Sequence, residues 1–210
     1  MPFRAVLFDL GGVVFPSPFE ASDRYDGRAG ITIGFTRGLI RTSSEAGAWA
    51  ALERGELTMA EFCRSLEAEA ALLGEVIDAA KIMATIAEES GARPEMLRAI
   101  EVLRGAGLRV GALTNNWASD TGSNTPPGLA GDDLFDAVVE SAKVGLRKPD
   151  RRIYELALAR LGVGAPETVF LDDLGVNLKP ARAMGMTTIK VVDHSTALDE
   201  LEAVLGLVLR

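Results

Sequence analysis

The chain has 210 residues, 48% hydrophobic and 25% charged, which is room for one core domain and a small insert. A net charge of −8 and a pI near 4.8 argue against nucleic acid or an anionic membrane as partner, since both are held mainly by lysine and arginine. No apolar run approaches the roughly 20 residues needed to span a bilayer, residues 1–20 lack the plan of a secretion signal, and the single cysteine, Cys63, excludes an internal disulfide, so a cytoplasmic protein is expected.

The first element is a short apolar run, Ala5 to Phe8, closed by Asp9 and followed by Gly11 and Gly12, which allow a tight turn. It reads as a buried parallel strand presenting Asp9 at its carboxyl end, the edge where open α/β sheets bind ligands. By itself Asp9 is equally well read as a loop cap. From about Glu20 to Glu89 the pattern is helical, with Trp49, Leu52, Leu57, Phe62, Leu66, Leu72 and Leu73 mostly three to five apart, and Thr58-Met59-Ala60-Glu61 is a capping box. No residue between Asp23 and Thr36 stands out as functional, and Cys63 reads as helix packing.

Pro94 opens a helix running through Arg104, and a strand over Leu108–Thr114 then ends in the hydroxyl and amides of Thr114, Asn115 and Asn116. Residues 119–133 are rich in Gly, Pro, Asn and Ser and predict a loop with some helix near the site rim, with mobility expected there. A strand over Ala137–Ser141 leads to Lys148, just before a helix starting near Pro149 with Ile153, Leu156, Ala157 and Leu161 on one face. Arg147 is expected on the surface. The strand Thr168–Asp172 is closed by the acidic pair Asp172 and Asp173, after which Asn177 is expected to cap a short helix that accommodates Pro180 in its first turn and ends at Gly185. A strand over Thr187–Val192, a loop holding the only histidine, His194, and a helix over Ser195–Leu205 complete the chain. Alternating strands and helices predict an α/β fold, with a Rossmann-like, mostly parallel sheet covered on both faces.

Asp9, Thr114, Lys148 and the pair Asp172–Asp173, in that order and each after a strand or before a helix, resemble the four-motif signature of the haloacid dehalogenase-like superfamily. The stretches 113–117, 144–154 and 169–182 further resemble the amino-terminal phosphatase domain of soluble epoxide hydrolase and the related domain fused to some acyl-CoA dehydrogenases. The resemblance implies a catalytic core over residues 1–16 and 92–210 and an all-helical cap over 17–91. Hinges are expected near Phe15–Phe19 and Ala87–Pro94.

It also implies chemistry. Asp9 would be the nucleophile, forming an aspartyl-phosphate, and Lys148 would neutralise Asp9 and the phosphate together. Thr114 and Asn115 would donate hydrogen bonds to phosphoryl oxygens. Mg²⁺, a hard ion suited to oxygen ligands, would be held by Asp9, the backbone carbonyl of Gly11 and Asp173, with Asp172 beside them or one step removed. The acidic pair favours a phosphatase over the metal-free dehalogenases. Asn177 would support the site or cap its helix. One position departs from the pattern: the aspartate usual two residues after the nucleophile, the general acid and base, is here Gly11. The expected function is a Mg²⁺-dependent phosphatase for a small phosphate monoester, monomeric or homodimeric. The rival is a catalytically weak phosphate-binding module that acts by association.

Overall fold

The computed structural model describes residues 3–88, 91–119, 122–123 and 134–210. A five-stranded, all-parallel sheet runs in the order β5 (Ala137–Glu140), β2 (Arg109–Thr114), β1 (Ala5–Phe8), β6 (Thr168–Asp172), β7 (Thr187–Lys190). The order reverses beside β1, so the crevice at the carboxyl ends of β1 and β6 is the topological switch point of the sheet. Register aligns the two ends: Phe8 lies opposite Leu171 in β6 and Ala112 in β2, and the Asp9 amide donates to the Leu171 carbonyl at 2.9 Å.

Both sheet faces are apolar because side chains alternate along each strand. Val6 and Phe8 of β1 join Val110, Ala112, Val169 and Leu171 under α6 (Pro94–Gly105) and α10 (His194–Leu205). Ala5 and Leu7 face the other way with Leu113, Val139 and Phe170, under α8 (Arg151–Leu161) and α9 (Gly175–Ala183). The expected α/β, Rossmann-like architecture is therefore observed.

Among the described residues, five helices lie between β1 and α6. They are α1 (Pro18–Ala29), α2 (Phe35–Ala46), α3 (Ala48–Glu53), α4 (Met59–Leu72) and α5 (Ala79–Glu88), packed around an apolar cluster of their own that includes Trp49, Leu52, Phe62, Leu66 and Ile82. Thr58 forms the capping box with Glu61 at the start of α4. The region without apparent features is in fact organised by Asp26, fully buried in α1, whose carboxylate accepts from the amides of Gly34 and Thr36 at the entry to α2. The two chain crossings to the sheet meet where the Arg93 amide donates to the Val14 carbonyl at 2.8 Å; residues 89 and 90 of the second expected hinge lie outside the described residues. Of the expected rim loop, residues 120–121 and 124–133 also lie outside them. What is described is a pairing of β3 (Ala118–Ser119) with β4 (Gly122–Ser123).

Several expectations need correction. A short helix, α7 (Ser141–Val144), follows β5 directly. α9 starts at Gly175 with no side-chain cap, so Asn177 is inside the helix, and Pro180 is at the sixth helical position, where it withholds one helical N–H. His194 is the first residue of α10, because the Asp193 carboxylate caps the Thr196 amide at 2.9 Å and draws the helix start one residue earlier.

The helical insert touches the sheet-bearing part at a turn after α3. Gly55 has φ +70°, and a Cβ there would lie 2.6 Å from the Ala142 carbonyl oxygen of α7. Glycine is required on both counts. Gly55→Ala is expected to lower stability by about 1–3 kcal/mol from the left-handed backbone alone, read as a lower urea midpoint. An unchanged midpoint would contradict this close approach.

Candidate active site

The site is built at the switch point. Asp9 is 6% exposed, and its Oδ1 accepts from the Leu10 amide at 2.7 Å. The Leu10 carbonyl then accepts from the amides of Val13, Val14 and Phe15, folding the turn back on itself. Gly12 in this turn has φ +77°, and a Cβ on it would fall 2.3 Å from Oδ2 of Asp173. Only glycine lets the second acidic residue approach the first strand's turn.

Lys148 is fully buried, and its Nζ lies 2.8 Å from Asp9 Oδ2 and 2.7 Å from Asp172 Oδ2. Its backbone is bracketed by one side chain: the Lys148 amide donates to Asn115 Oδ1 at 2.8 Å, and Asn115 Nδ2 donates to the Lys148 carbonyl at 3.1 Å. Asn115 is the residue expected, with Thr114, to donate to phosphoryl oxygens; its side chain holds the lysine's backbone. Thr114 is buried at the end of β2, its hydroxyl 3.4 Å from the Asn115 carbonyl.

Asp172, at the end of β6, has both oxygens engaged. Oδ1 accepts from the Leu174 amide at 2.8 Å and Asn177 Nδ2 at 3.0 Å, and Oδ2 from Lys148 and again Asn177. Asn177 is fixed in turn by Tyr154, whose hydroxyl donates to its carbonyl at 2.7 Å and whose ring meets Phe170 edge-on at 5.8 Å. These bonds make Asp172 a brace for Lys148.

Carboxylate oxygens of Asp9, Asp172 and Asp173 lie within 4.8 Å of one another. Burial raises the Asp9 carboxyl well above its usual range against the pull of Lys148, and the other two carboxylates add to the rise. Burial, then the charge of Asp172, pushes Asp173 up to about 6. Burial works against the charge on Lys148 too, but Asp172 and Asp9 outweigh it, and the ammonium is held above its ordinary range. One buried cation among three carboxylates leaves excess negative charge that a hard divalent cation on oxygen ligands would relieve.

Two residues beside this site, Arg147 and Glu53, had no role in the sequence reading, and Asn116 was named only as a strand-end amide. Arg147, expected on the surface, has its side chain 15% exposed and paired with Glu53 of α3, with Nη2 2.6 Å from Oε2. Glu53 is itself buried, and its one sequence signal is its spacing of four from Trp49, whose indole donates to Oε1 at 2.9 Å. Asn116 joins the ends of β2 and β5, with its amide on Ser141 Oγ at 2.9 Å and its Nδ2 on Glu140 at 2.8 Å.

A family model described as haloacid dehalogenase-like hydrolase matches residues 3–185. The chain belongs to that family. Among its relatives, acyl-CoA dehydrogenase family member 10 of Mus musculus is 37% identical over 208 residues, covering 97% of this chain and 19% of its own length. Bifunctional epoxide hydrolase 2 of Sus scrofa is 35% identical over 218 residues, covering 98% of this chain and 39% of its own. The chain thus spans well under half of either relative. The sesquiterpene phosphatase astK of Aspergillus oryzae is 30% identical over 208 residues and matches 97% of both chains. In fold, this hydrolase resembles an Asp-to-Ala mutant of a haloacid dehalogenase-family enzyme of Bacteroides thetaiotaomicron, solved with magnesium and inorganic phosphate. The TM-score is 0.61 at 21% identity, over 90% of this chain and 93% of the other. Among the described residues, no helix is long and apolar enough to cross a membrane.

The raised Asp173 carboxyl has a definite sign. Its folded value of about 6 lies above the ordinary aspartate value, so folding favours the protonated form, and that contribution is lost as pH rises through about 6. Without divalent metal, Asp173→Asn should therefore be more stable than the parent at pH 7, by about 1–3 kcal/mol, with little difference at pH 4. Added Mg²⁺ should raise the parent's melting temperature and leave the variant's unchanged. An equal Mg²⁺ shift in both would remove Asp173 from the residues that could hold a metal.

Proposed function

We propose that this hydrolase is a Mg²⁺-dependent phosphatase acting on a small phosphate monoester through an aspartyl-phosphate on Asp9. The observation that carries the proposal is the Asp9 carboxylate at the switch point, paired to a buried lysine, with Asp173 beside it across Gly12. The full-length likeness to a protein named as a phosphatase, and the fold's likeness to an enzyme solved with magnesium and phosphate, support it.

In the first step a carboxylate oxygen of Asp9 bonds to phosphorus as the ester P–O bond breaks, and the alcohol leaves with a proton taken from solvent. Water then attacks phosphorus, the acyl-phosphate bond breaks, and Asp9 and inorganic phosphate are released. Lys148 offsets the charge of nucleophile and phosphoryl group together, and the Thr114 hydroxyl donates to a phosphoryl oxygen. Asp9, Asp173 and the Gly11 carbonyl would hold the ion, which lowers the repulsion between two anions. The reaction space is the crevice between the sheet edge and the helical insert, with residues 17–91 acting as the cap.

Gly11 favours a second reading, a weak or inactive phosphate-binding protein, because the usual general acid is missing there. General acid help is worth about 10² to 10⁴ in rate and matters most for basic leaving groups. Aryl, acyl and anomeric phosphates should therefore react faster than simple alkyl phosphates. Phosphate release from an aryl ester should require Mg²⁺ and fall by at least about 10³-fold in Asp9→Asn. No release from any ester, with Mg²⁺-dependent phosphate binding retained, would favour the second reading.

Gly11 also has room for the missing acid. Its φ is outside the left-handed region, and the nearest atom to a Cβ would be Pro18 Cδ at an ordinary 3.7 Å. Gly11→Asp is expected to raise the alkyl-to-aryl ratio of kcat/KM. A folded, Mg²⁺-binding variant with an unchanged ratio would show that Gly11 does not limit proton delivery.

A further inference from the structure

Lys148 must place a charged group in a fully buried position, and its own side chain does not explain how its backbone is held. The residue before it, Arg147, points out of the sheet-bearing part and into the helical insert. Arg147 Nε and Nη2 donate to Glu53 Oε2 at 2.7 and 2.6 Å, and Nη1 donates to the Ser44 carbonyl of α2 at 2.7 Å. Asn115, which brackets the Lys148 backbone, also reaches Glu53 Oε2, at 3.4 Å. A single carboxylate of the insert thus touches Asn115, which holds the lysine's main chain, and Arg147, the residue bonded to it.

A buried ion pair is a poor way to gain stability, because desolvating two charges offsets most of their attraction. Burial indeed pushes the Glu53 carboxyl up against the pull of Arg147. Such a pair is better suited to setting a register between two parts that must meet in one arrangement. Its surroundings fit that use: Gly55 packs on Ala142 two residues along, and Trp117, just past Asn116, meets Trp49 edge-on at 5.7 Å. Glu53 is not placed to act as the missing general acid, because both its oxygens are already taken by Trp49, Arg147 and Asn115.

We propose that Glu53 is a positioning residue through which docking of the helical insert completes the lysine site, by holding Arg147 and Asn115 and through them the backbone of Lys148. The proposal rests on the reading of Lys148 as part of the catalytic site. Without the Glu53 contact Arg147 loses its partner and the Lys148 peptide is free to shift, so the lysine is placed for phosphate chemistry only while that contact is made.

The test compares the full chain with Glu53→Gln and Arg147→Met in the presence of Mg²⁺ and inorganic phosphate. The first readout is amide hydrogen exchange at Lys148, with amides of α6 and α10 as internal reference. Either substitution should speed exchange at Lys148 at least tenfold while the reference amides stay within twofold, and the double variant should be no worse than the worse single one. The second readout is aryl-phosphate hydrolysis, where kcat should fall about tenfold with KM changed less than threefold. Unchanged Lys148 exchange in a folded variant, or exchange that rises equally throughout, overturns the proposal. If Glu53→Gln does not fold, Arg147→Met is judged by the same criteria. If the parent hydrolyses no ester, the phosphatase reading fails, and the exchange measurement still decides whether Glu53 positions the lysine.

Discussion

The arrangement depends on one buried ammonium. Lys148 Nζ sits between Asp9 and Asp172, at 2.8 and 2.7 Å, with no exposed surface. A lysine is rarely placed there, because desolvation disfavours its charged form, and only the two carboxylates make the charge tenable. The dependence runs both ways. Removing the lysine would leave two buried carboxylates without their cation, and neutralising either carboxylate would weaken the hold on the lysine.

The surrounding structure reads as the means of keeping that charge in place. Parallel register sets the ends of β1 and β6 level, so Asp9 and Asp172 present to one point. Tyr154 and Asn177 fix Asp172 from behind, and Asn115 fixes the lysine's peptide. Each of these polar groups is satisfied by another polar group, as a low-dielectric site demands. Glu53 and Arg147 carry the same network out of the sheet and into the helices between β1 and α6.

The net charge of the cluster points toward its chemistry. Three carboxylates share one ammonium, and burial first, then the neighbouring carboxylates, raises the carboxyls of Asp9 and Asp173. An acidic protein suits an anionic ester only if that local balance is reversed, which a divalent ion beside Lys148 would achieve under the proposed function. Gly12 makes the reversal possible, because a side chain there would keep Asp173 away from the turn. Gly11, one residue earlier, is not sterically demanded.

Much of this was legible in the chain itself. Short apolar runs ending in Asp9, Thr114 and Asp172 declare strands and where they end, since strand-end placement is a local property, and the alternation with helices predicted the sheet. The capping box at Thr58 was readable for the same reason. The start of α9 and the helical position of His194 were not, because they turn on which cap prevails in three dimensions. Nor could the chain alone show that Asn115 brackets the backbone of Lys148, 33 residues away. Glu53 and Arg147, 94 apart, look like a helix-surface acid and a loop base until the insert folds against the sheet. Strand ends and caps are set by neighbours in sequence, whereas the partner of a buried charge is set by packing, and only the tertiary structure could decide it.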